Sequence, residues 1–330
     1  MSRSRLRRNK RGEPLAPAWR RWPAVLVVLL LAAVPRARAD TYFLTVAGLG
    51  GEPDYEQRFR AMAADLDRIL KAADTTNHVV TLSGDEATRA HMSEALQSIA
   101  DQASADDQFV LILIGHGSYD GRQYKLNLVG PDISAPALAQ LCNKIAARHQ
   151  LIVNTTSSSG ASMAALKHEG RVVIAATKSG TEKNATVFAR YWVDALRDST
   201  ADTDKNDSIS ALEAFQYAAA KTAEFYESQK RLATEHPIFA EAGSTVALRT
   251  ASLASGAGRS LSSFVVVRLG ASGAAAADPA KRGLLVRKEQ LESQVDALKY
   301  QRAAMSPEDY KRQLTQTLVE LAKVQEELDK

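Results

Sequence analysis

The sequence predicts an α/β fold of three layers, in which a mainly parallel β-sheet lies between two layers of helices and is followed by a C-terminal helical hairpin. The apolar run from Phe109 to Ile114 is typical of a strand buried on both faces of a parallel sheet. Short apolar runs alternate with amphipathic helix patterns from Asp40 to about Thr250, which is typical of parallel strands joined by helical crossovers. Heptad-like spacing of apolar residues after Lys281 indicates two further helices.

Short apolar runs define the strands of the predicted sheet. The predicted strands are Tyr42–Val46, His78–Leu82, Phe109–Ile114, Leu151–Asn154 and Val172–Ala176. Between and after them, apolar residues recur every three to four positions, as in amphipathic helices. The predicted helices are Tyr55–Ala72, Ala87–Ala103, Ala135–His149, Ser162–Lys167, Ala185–Arg197 and Ser210–Ala233. Together these elements predict one domain of ordinary size, residues 40–250.

Residues 1–39 have the features of a secretory signal peptide: a basic start, an apolar stretch from Ala24 to Val34, and the sequence Ala37-Arg38-Ala39 as a cleavage site. The apolar stretch is shorter than the ~20 residues that span a bilayer, so we expect no stable membrane span after cleavage. The segment holds ten of the 42 Lys and Arg residues and one of the 38 Asp and Glu residues, which leaves the remaining chain a net charge of −5. We therefore expect an exported protein, periplasmic or secreted, that binds no nucleic acid.

Residues 251–280 connect the predicted domain to the C-terminal hairpin. Ser263–Leu269 predicts an edge strand, and Gly270–Ala280 predicts an Ala/Gly linker. Residues 281–330 predict two coiled-coil-like helices, the second of which begins with Ser306 as N-cap and Pro307 in the first turn. An αα-hairpin has little core of its own, so we expect this one to dock on the domain or to self-associate.

The single cysteine, Cys142, excludes an internal disulfide. It has helical spacing from Leu138 and Leu141 and is preceded by Ser134 as a helix cap. No glycine-rich turn or strand end presents its thiol. We therefore predict a small core residue rather than a nucleophile.

His116 follows the predicted central strand directly and lies between Gly115 and Gly117. In open α/β sheets, ligands and catalytic groups collect at the carboxyl ends of the strands, so His116 is the best catalytic candidate among the six histidines. The alternative is a histidine that only caps the strand and packs on its neighbours. The other five histidines have no metal-ligand spacing, and we assign them no role.

A cluster of hydroxyl residues from Thr155 to Ser159 follows the strand Leu151–Asn154 and precedes Gly160 and a helix. A strand-to-helix turn of this kind resembles one that carries a nucleophile, because amides at the start of the helix can stabilise an oxyanion. The alternative is a polar loop with a helix cap. Neighbouring parallel strands would bring this loop within reach of His116. The residues after the last predicted strand (Thr177, Lys178 and Glu182) are candidates for the same edge or for a solvated loop.

A strand ending in Gly115-His116-Gly117 and a following strand ending in a Ser/Thr turn before Gly160 resemble the legumain-type peptidases and their caspase-like relatives. The resemblance covers roughly residues 41–233 and is clearest over residues 109–161. It implies a caspase-like three-layer fold, with His116 as the catalytic histidine and Gly117 as a contributor to the oxyanion hole. It places the nucleophilic cysteine of the family at Ser157, or at Ser158 if the match shifts by one residue.

Serine in place of cysteine determines how far the family's activity carries over to this chain. A thiol with a pKa near ~8.5 can ionise beside an imidazolium, whereas a serine hydroxyl needs concerted proton removal, normally with a third group orienting the base. Asp120 is the only acidic residue near His116 in the sequence. We favour a non-catalytic homologue whose cleft or hairpin binds a protein or peptide. The alternative is an active hydrolase with a His116–Ser157 dyad.

Residues 202–213 match the twelve-residue calcium loop of EF-hand proteins, with oxygen-bearing residues at the ligand positions. The predicted ligands are Asp202, Asp204, Asn206, Ser208, Ser210 and Glu213. The departure is Asp207, at a position where glycine normally allows a positive φ. We expect a structural Ca²⁺ site, and the alternative is an acidic loop that ends in a capping box from Ser210 to Glu213. No organic cofactor is expected, because Gly48-Leu49-Gly50-Gly51 lacks the spacing of a dinucleotide or phosphate loop.

Overall fold

The computed structural model describes residues 39–74, 76–252 and 255–330, so the predicted signal peptide lies outside the described residues except for Ala39. The strands are β1 (Thr41–Ala47), β2 (His78–Ser83), β3 (Gln108–Ile114), β4 (Gly117–Tyr119), β5 (Tyr124–Leu126), β6 (Ile133–Ser134), β7 (His149–Asn154), β8 (Arg171–Ala175), β9 (Ser208–Ser210), β10 (Ile238–Ala240) and β11 (Val265–Arg268). The α-helices are α1 (Pro53–Ala73), α2 (Arg89–Gln102), α3 (Ala135–Cys142), α4 (Met163–Leu166), α5 (Phe188–Ala195), α6 (Ala211–Ser228), α7 (Arg259–Ser262), α8 (Gly270–Ala277), α9 (Arg282–Gln301) and α10 (Pro307–Leu328).

Six strands form the central sheet in the order β10-β8-β7-β3-β1-β2. β10 is antiparallel to β8, and all other neighbours in this sheet are parallel. β3 lies in the interior of the sheet, and its apolar run, residues 109–114, is fully buried. The prediction of a mainly parallel sheet with a doubly buried strand is therefore confirmed.

Helices cover both faces of this sheet, which confirms the three layers. On one face, Trp192 of α5 and Phe215 of α6 share a core with Ile112 of β3. On the other face, Leu138 of α3 shares a core with Leu111 of β3. Successive residues of one strand enter different cores because side chains alternate across a sheet.

Cys142 lies in the second of these cores and is fully buried. Burial raises the pKa of its thiol to about 11, so the sulfur is not ionised near neutral pH. The predicted role as a small core residue is confirmed.

The predicted helix Ala135–His149 is too long, because α3 ends at Cys142 and His149 already belongs to β7. The buried side chain of Gln150 donates to the carbonyl oxygens of Ile145 (3.2 Å) and Ala147 (2.9 Å) and holds the connection in a turn. These contacts depend on the docked position of β7, and they override the helical spacing of the segment.

The structure contains the strand predicted within residues 263–269 but contradicts the predicted linker that follows it. The strand, β11, does not extend the central sheet. It pairs with β9 in a separate two-stranded ribbon, with Val265 opposite Ser210 and Arg268 opposite Ser208. The predicted linker Gly270–Ala280 contains helix α8, because its alanines are strong helix formers and Ala276 is buried.

The helices α9 and α10 form the predicted antiparallel hairpin. The Nζ of Lys281, just before α9, donates to the carbonyl oxygen of Leu328, at the end of α10, at 2.6 Å. About two turns further along, Arg287 forms an ion pair with Glu320 at 2.7 Å. In the part of the chain that is described, no helix is long and apolar enough to cross a membrane.

The hairpin is docked on the α/β domain, and residues 38–330 form one compact unit. Arg268 of β11 binds Glu289 of α9 through two hydrogen bonds of 2.6 and 3.0 Å. Leu285 and Leu291 of α9 are buried. Docking supplies the apolar contacts that an isolated hairpin lacks.

Candidate functional site

The two predicted site loops leave the carboxyl ends of neighbouring strands. β3 and β7 are parallel neighbours, and Leu113 lies opposite Asn154 in the last pair of the ladder. Beyond it, Thr155 binds the carbonyl oxygen of Leu113 with both its backbone N–H (2.9 Å) and its hydroxyl (2.7 Å). The predicted closeness of the His116 and Ser157 loops is therefore confirmed at the level of the backbone.

Ser157 and Gly117 form a closed pair of hydrogen bonds. The Oγ of Ser157 accepts from the backbone N–H of Gly117 at 3.1 Å and donates to the carbonyl oxygen of Gly117 at 3.2 Å. Ser157 is only 2% exposed. The hydroxyl of the predicted nucleophile and the N–H of the predicted oxyanion hole therefore satisfy each other.

Gly117 is tightly enclosed, which explains why this position carries no side chain. A Cβ at Gly117 would lie 2.4 Å from the carbonyl oxygen of Ser157 and 2.5 Å from the ring of Tyr124. The Oγ1 of Thr156 would be 2.7 Å away. The close approach of the two loops thus depends on glycine.

The imidazole of His116 packs against α1. Its ring makes edge contacts with Tyr55 and Phe59, with centroid distances of 4.8 and 5.2 Å. Burial lowers the pKa of His116 below its ordinary value of 6.5, although a hydrogen bond to the Gly50 backbone opposes this change. Among the described residues, no hydrogen bond joins the imidazole to Ser157 or to a carboxylate.

Asp120 does not orient His116. Its carboxylate accepts hydrogen bonds from the backbone N–H groups of Arg122 and Gln123, both at 2.8 Å. These bonds stabilise an exposed turn between β4 and β5. This small sheet, β4 to β6, went unpredicted because its strands are only two or three residues long.

Ser158, the alternative nucleophile, has an unusual backbone conformation with φ 57°. Its N–H donates to the carbonyl oxygen of Glu182 at 2.8 Å. The side chain is fully buried, and its hydroxyl has no hydrogen-bond partner among the described residues. Neither serine is therefore accessible to a substrate in this conformation.

The remaining hydroxyls of this loop form a buried network with structural roles. The Tyr124 hydroxyl is 2.6 Å from the Oγ1 of Thr156, which in turn donates to the Oδ1 of Asn154 at 2.8 Å. The Nδ2 of Asn154 donates to the Oγ of Ser162 at 3.0 Å. Burial raises the pKa of Tyr124 to about 12, so its proton stays in the network. These contacts fit the alternative interpretation of the cluster as a polar loop.

A histidine–carboxylate pair at the same edge was missed by the sequence reasoning. The ring Nδ1 of His236 is hydrogen-bonded to the carboxylate of Glu182. The same carboxylate also accepts from the backbone N–H of His236 at 3.2 Å. The backbone N–H of Lys178 also donates to the Glu182 carboxylate, at 2.8 Å. Glu182 and Lys178 were candidates for this edge, but nothing in the sequence pairs either with His236, because the contact spans many residues.

The buried carboxyl group of Glu235, next to His236, should make the stability of the protein depend on pH. It is 2% exposed and accepts hydrogen bonds from the N–H groups of Val187 (2.7 Å) and Phe188 (3.2 Å) at the start of α5. Burial raises its pKa from 4.5 to about 7, against the effect of these bonds. Between these pH values, the folded state keeps a proton that the unfolded state releases. The contribution of Glu235 to stability therefore falls as pH rises through this window.

As pH rises from 4.5 to about 7, we expect the free energy of unfolding of the wild type to fall by about 2 kcal/mol relative to that of the Glu235→Gln variant. Urea denaturation of both proteins across this range measures the difference. Glu224→Gln, at an exposed position of α6, is the matched control and should parallel the wild type. Parallel profiles for wild type and Glu235→Gln would contradict the raised pKa.

The predicted calcium loop brings three carboxylates together. Ligand oxygens of Asp202, Asp204 and Glu213 lie within 4.8 Å of one another. Asp207 has a φ of 63°, the conformation that glycine normally supplies in such loops. Partial burial, the charge of Glu213 and then that of Asp202 raise the pKa of Asp204 to about 6.

The other predicted ligands serve the local structure of the loop. The Oδ1 of Asn206 accepts from the Ser208 N–H at 2.8 Å. Ser210 and Glu213 form the capping box of α6, in which the Ser210 Oγ accepts from the Glu213 N–H at 3.2 Å. The capping box and the carboxylate cluster therefore coexist in one loop.

The chain matches no protein-family model and no curated protein. Its structure is similar to that of a protein from Geobacter sulfurreducens, with 14% identity and a TM-score of 0.42 over 63% of this chain and 94% of that chain. It is also similar to the Drosophila initiator caspase Dronc (10% identity, TM-score 0.39, 64% and 82% coverage) and to caspase-1 from Spodoptera frugiperda (13% identity, TM-score 0.42, 61% and 85% coverage). The neighbours thus include caspases, and no site residue is assigned from this likeness.

Proposed function

We propose that this chain is an exported, non-catalytic homologue of the legumain-type and caspase-like peptidases that binds a protein or peptide. The closed pair between Ser157 and Gly117 carries this proposal. Acyl transfer needs a nucleophile beside its base and a free N–H to bind the oxyanion. Here the N–H of Gly117 already donates to the hydroxyl of Ser157, at 3.1 Å. The export part of the proposal rests on the signal-like pattern of residues 1–39.

The environment of His116 supports the same proposal. A serine hydrolase stabilises the imidazolium that forms during the reaction, normally with a carboxylate. Burial lowers the pKa of His116, which disfavours that imidazolium. Its ring packs against Tyr55 and Phe59, and among the described residues no carboxylate is hydrogen-bonded to it.

The alternative function is a hydrolase with a His116–Ser157 dyad. It requires the Ser157 hydroxyl to leave Gly117 and turn towards the imidazole. It also requires a substrate to reach a side chain that is 2% exposed. A rearrangement of the segments that bury Ser157 would have to precede the reaction.

A serine-directed fluorophosphonate probe tests the proposal on the purified protein. We expect no labelling of Ser157 in the wild type, because its hydroxyl is buried and hydrogen-bonded to Gly117 instead of to a base. Ser157→Ala and His116→Ala are the matched variants. Labelling of Ser157 that disappears in both variants would establish the hydrolase and overturn the proposal.

The variant Ser157→Cys provides a second measurement in the same experiment. Without an imidazolium beside it, the new thiol should alkylate with an apparent pKa no lower than the ordinary ~8.5. The buried Cys142 is the internal control for an unreactive thiol. A strongly depressed apparent pKa at position 157 would point to a preserved catalytic site.

We propose the C-terminal hairpin, residues 281–330, as the protein-binding or self-association surface. Leu318 and Val319 are consecutive residues of α10 and are 45% and 49% exposed, whereas Leu314, Leu321 and Val324 of the same helix are partly buried. Apolar residues exposed together commonly mark an interaction surface. Sedimentation velocity of the wild type and of a Leu318→Ser, Val319→Ser variant measures self-association through this face.

We also propose that residues 202–213 hold Ca²⁺ in a structural role. Carboxylate, amide and hydroxyl oxygens are the ligands that Ca²⁺ takes, and the three clustered carboxylates Asp202, Asp204 and Glu213 supply most of them. A cation among these groups would offset their mutual repulsion. Ca²⁺ here would stabilise the loop between α5 and α6 and take no part in catalysis.

A further inference from the structure

The proposed cation loop, residues 202–213, is in direct contact with the C-terminal hairpin. The Nζ of Lys288 in α9 donates to the carbonyl oxygen of Asn206 at 3.0 Å. The Oγ of Ser272 in α8 donates to the same oxygen at 3.3 Å. Lys288 is a buried lysine, and burial of an ammonium group is costly unless it is paired. A buried ammonium group of the hairpin is therefore bound to a backbone carbonyl oxygen of the loop.

The ribbon of β9 and β11 links the loop and the hairpin on a second side. The N–H of Leu269, directly after β11, donates to the carbonyl oxygen of Asp207 at 2.8 Å. Arg268 of β11 binds Glu289 of α9 and also contacts Asp74 at 3.4 Å. The loop, the ribbon and α9 are thus joined by a continuous set of polar contacts, so a change in the order of the loop must affect α9.

Charged side chains of α9 lie close enough to the loop to act on its carboxylates. The negative charge of Asp296 in α9 acts on Asp204 of the loop, and Asp204 acts on Glu292 of α9. The Nζ of Lys288 lies 3.7 Å from Glu292 and offsets part of the repulsion. Asp296 is likewise paired with Lys299 of α9 at 2.8 Å, so the uncompensated negative charge lies mainly in the three clustered carboxylates of the loop.

We propose that a divalent cation in the loop stabilises the docked position of the hairpin, so that cation occupancy controls how firmly α9 and α10 are held on the α/β domain. This inference rests on the cation site proposed above. The cation would offset the mutual repulsion of the loop carboxylates, and by ordering the loop it would fix the carbonyl oxygen of Asn206 that Lys288 and Ser272 bind. By linkage, the docked hairpin would in turn raise the affinity of the loop for the cation.

Hydrogen exchange of the full chain without its signal peptide, in Ca²⁺ and in chelator, tests this inference. We expect Ca²⁺ to slow exchange in α9 and α10 by up to about 100-fold when its free concentration is 100 times the Kd, because only the docked state binds it tightly. Peptides from α2, on the opposite face of the sheet, are the internal control and should not respond. Titration calorimetry with Ca²⁺ alone measures binding independently.

The two measurements separate the possible failures. If Ca²⁺ binds but exchange in α9 and α10 is unchanged, the coupling is wrong and the cation site remains. If calorimetry detects no binding, both the site and the coupling are overturned. Because both measurements use the unaltered chain, neither depends on a variant that folds poorly.

The charge-removal variant Glu292→Gln, Asp296→Asn tests the physical basis of the coupling. We expect its hairpin to stay docked in chelator, because Lys288 and Lys299 lose their acidic partners in α9 and can attract the loop carboxylates instead. The effect of Ca²⁺ on exchange should then shrink by about 10-fold. The matched control is Glu326→Gln, Glu327→Gln, at exposed positions of α10. An unchanged Ca²⁺ effect in the first variant would overturn the electrostatic explanation.

Discussion

Replacing Gly117 with alanine is expected to lower the free energy of unfolding by about 1–3 kcal/mol, and to separate the two site loops. The new Cβ would lie 2.4 Å from the carbonyl oxygen of Ser157, a backbone atom that cannot turn away as a side chain does. On its other side it would meet the Tyr124 ring, which is held by hydrogen bonds to Thr156 and Asn154. One of the two loops must therefore move, and the Ser157–Gly117 pair must break.

Urea denaturation measures this effect, and Gly283→Ala is the matched control. Gly283 lies in the first turn of α9, where an added Cβ would meet no atom within 4 Å. Alanine there should stabilise the protein by up to about 0.5 kcal/mol through helix propensity. A Gly117→Ala protein as stable as the wild type would show that the loops are more loosely packed than the contacts indicate. It would also mean that the close approach of the two loops does not depend on glycine at position 117.

Replacing Glu213 with alanine is expected to cost about 2 kcal/mol of stability without added cation and to abolish any stabilisation by Ca²⁺. The buried carboxylate accepts hydrogen bonds from the Thr203 N–H (2.8 Å) and the Ser210 N–H (3.0 Å). It also accepts from the hydroxyls of both residues, at 3.0 and 2.8 Å. Truncation leaves these donors unpaired and removes the ligand at the twelfth loop position.

Thermal denaturation with and without Ca²⁺ separates these two effects of Glu213. Glu213→Gln keeps the size of the side chain and removes its charge, so it should retain more stability than alanine and still lose the response to Ca²⁺. Glu224→Ala, in the same helix but exposed, should change stability by less than about 0.5 kcal/mol and keep the response. A full Ca²⁺ response in Glu213→Ala would exclude this loop as the cation site.

The central part of the fold could be predicted because its signals are local and repeated. A run such as residues 109–114 has no stable place other than a strand covered on both faces, and the crossovers around it follow from the alternation with helices. The errors fall where tertiary contacts override local preference. The side chain of Gln150 holds the segment after α3 in a turn, so the helix ends earlier than its spacing predicts. Buried alanines make a helix, α8, out of the predicted linker.

The site could be predicted as a meeting of two loops but not as a set of bonds. Strand adjacency implies that the His116 and Ser157 loops are close, because parallel neighbours end at one edge. Side-chain direction is a different matter, since His116 turns to Tyr55 while Ser157 binds Gly117. The pair of Glu182 and His236 left no pattern in the sequence at all.

By itself, the sequence determined the order of buried strands and helices, the edge at which the two loops meet, and the oxygen-rich loop at residues 202–213. Each of these depends on the polarity and spacing of residues close together in the chain. Only the tertiary structure decided that Ser157 is bonded to Gly117 rather than to His116, and that α9 contacts the loop at Asn206. Those outcomes depend on distances between segments far apart in sequence, where differences of a few tenths of an ångström select one hydrogen-bond partner over another.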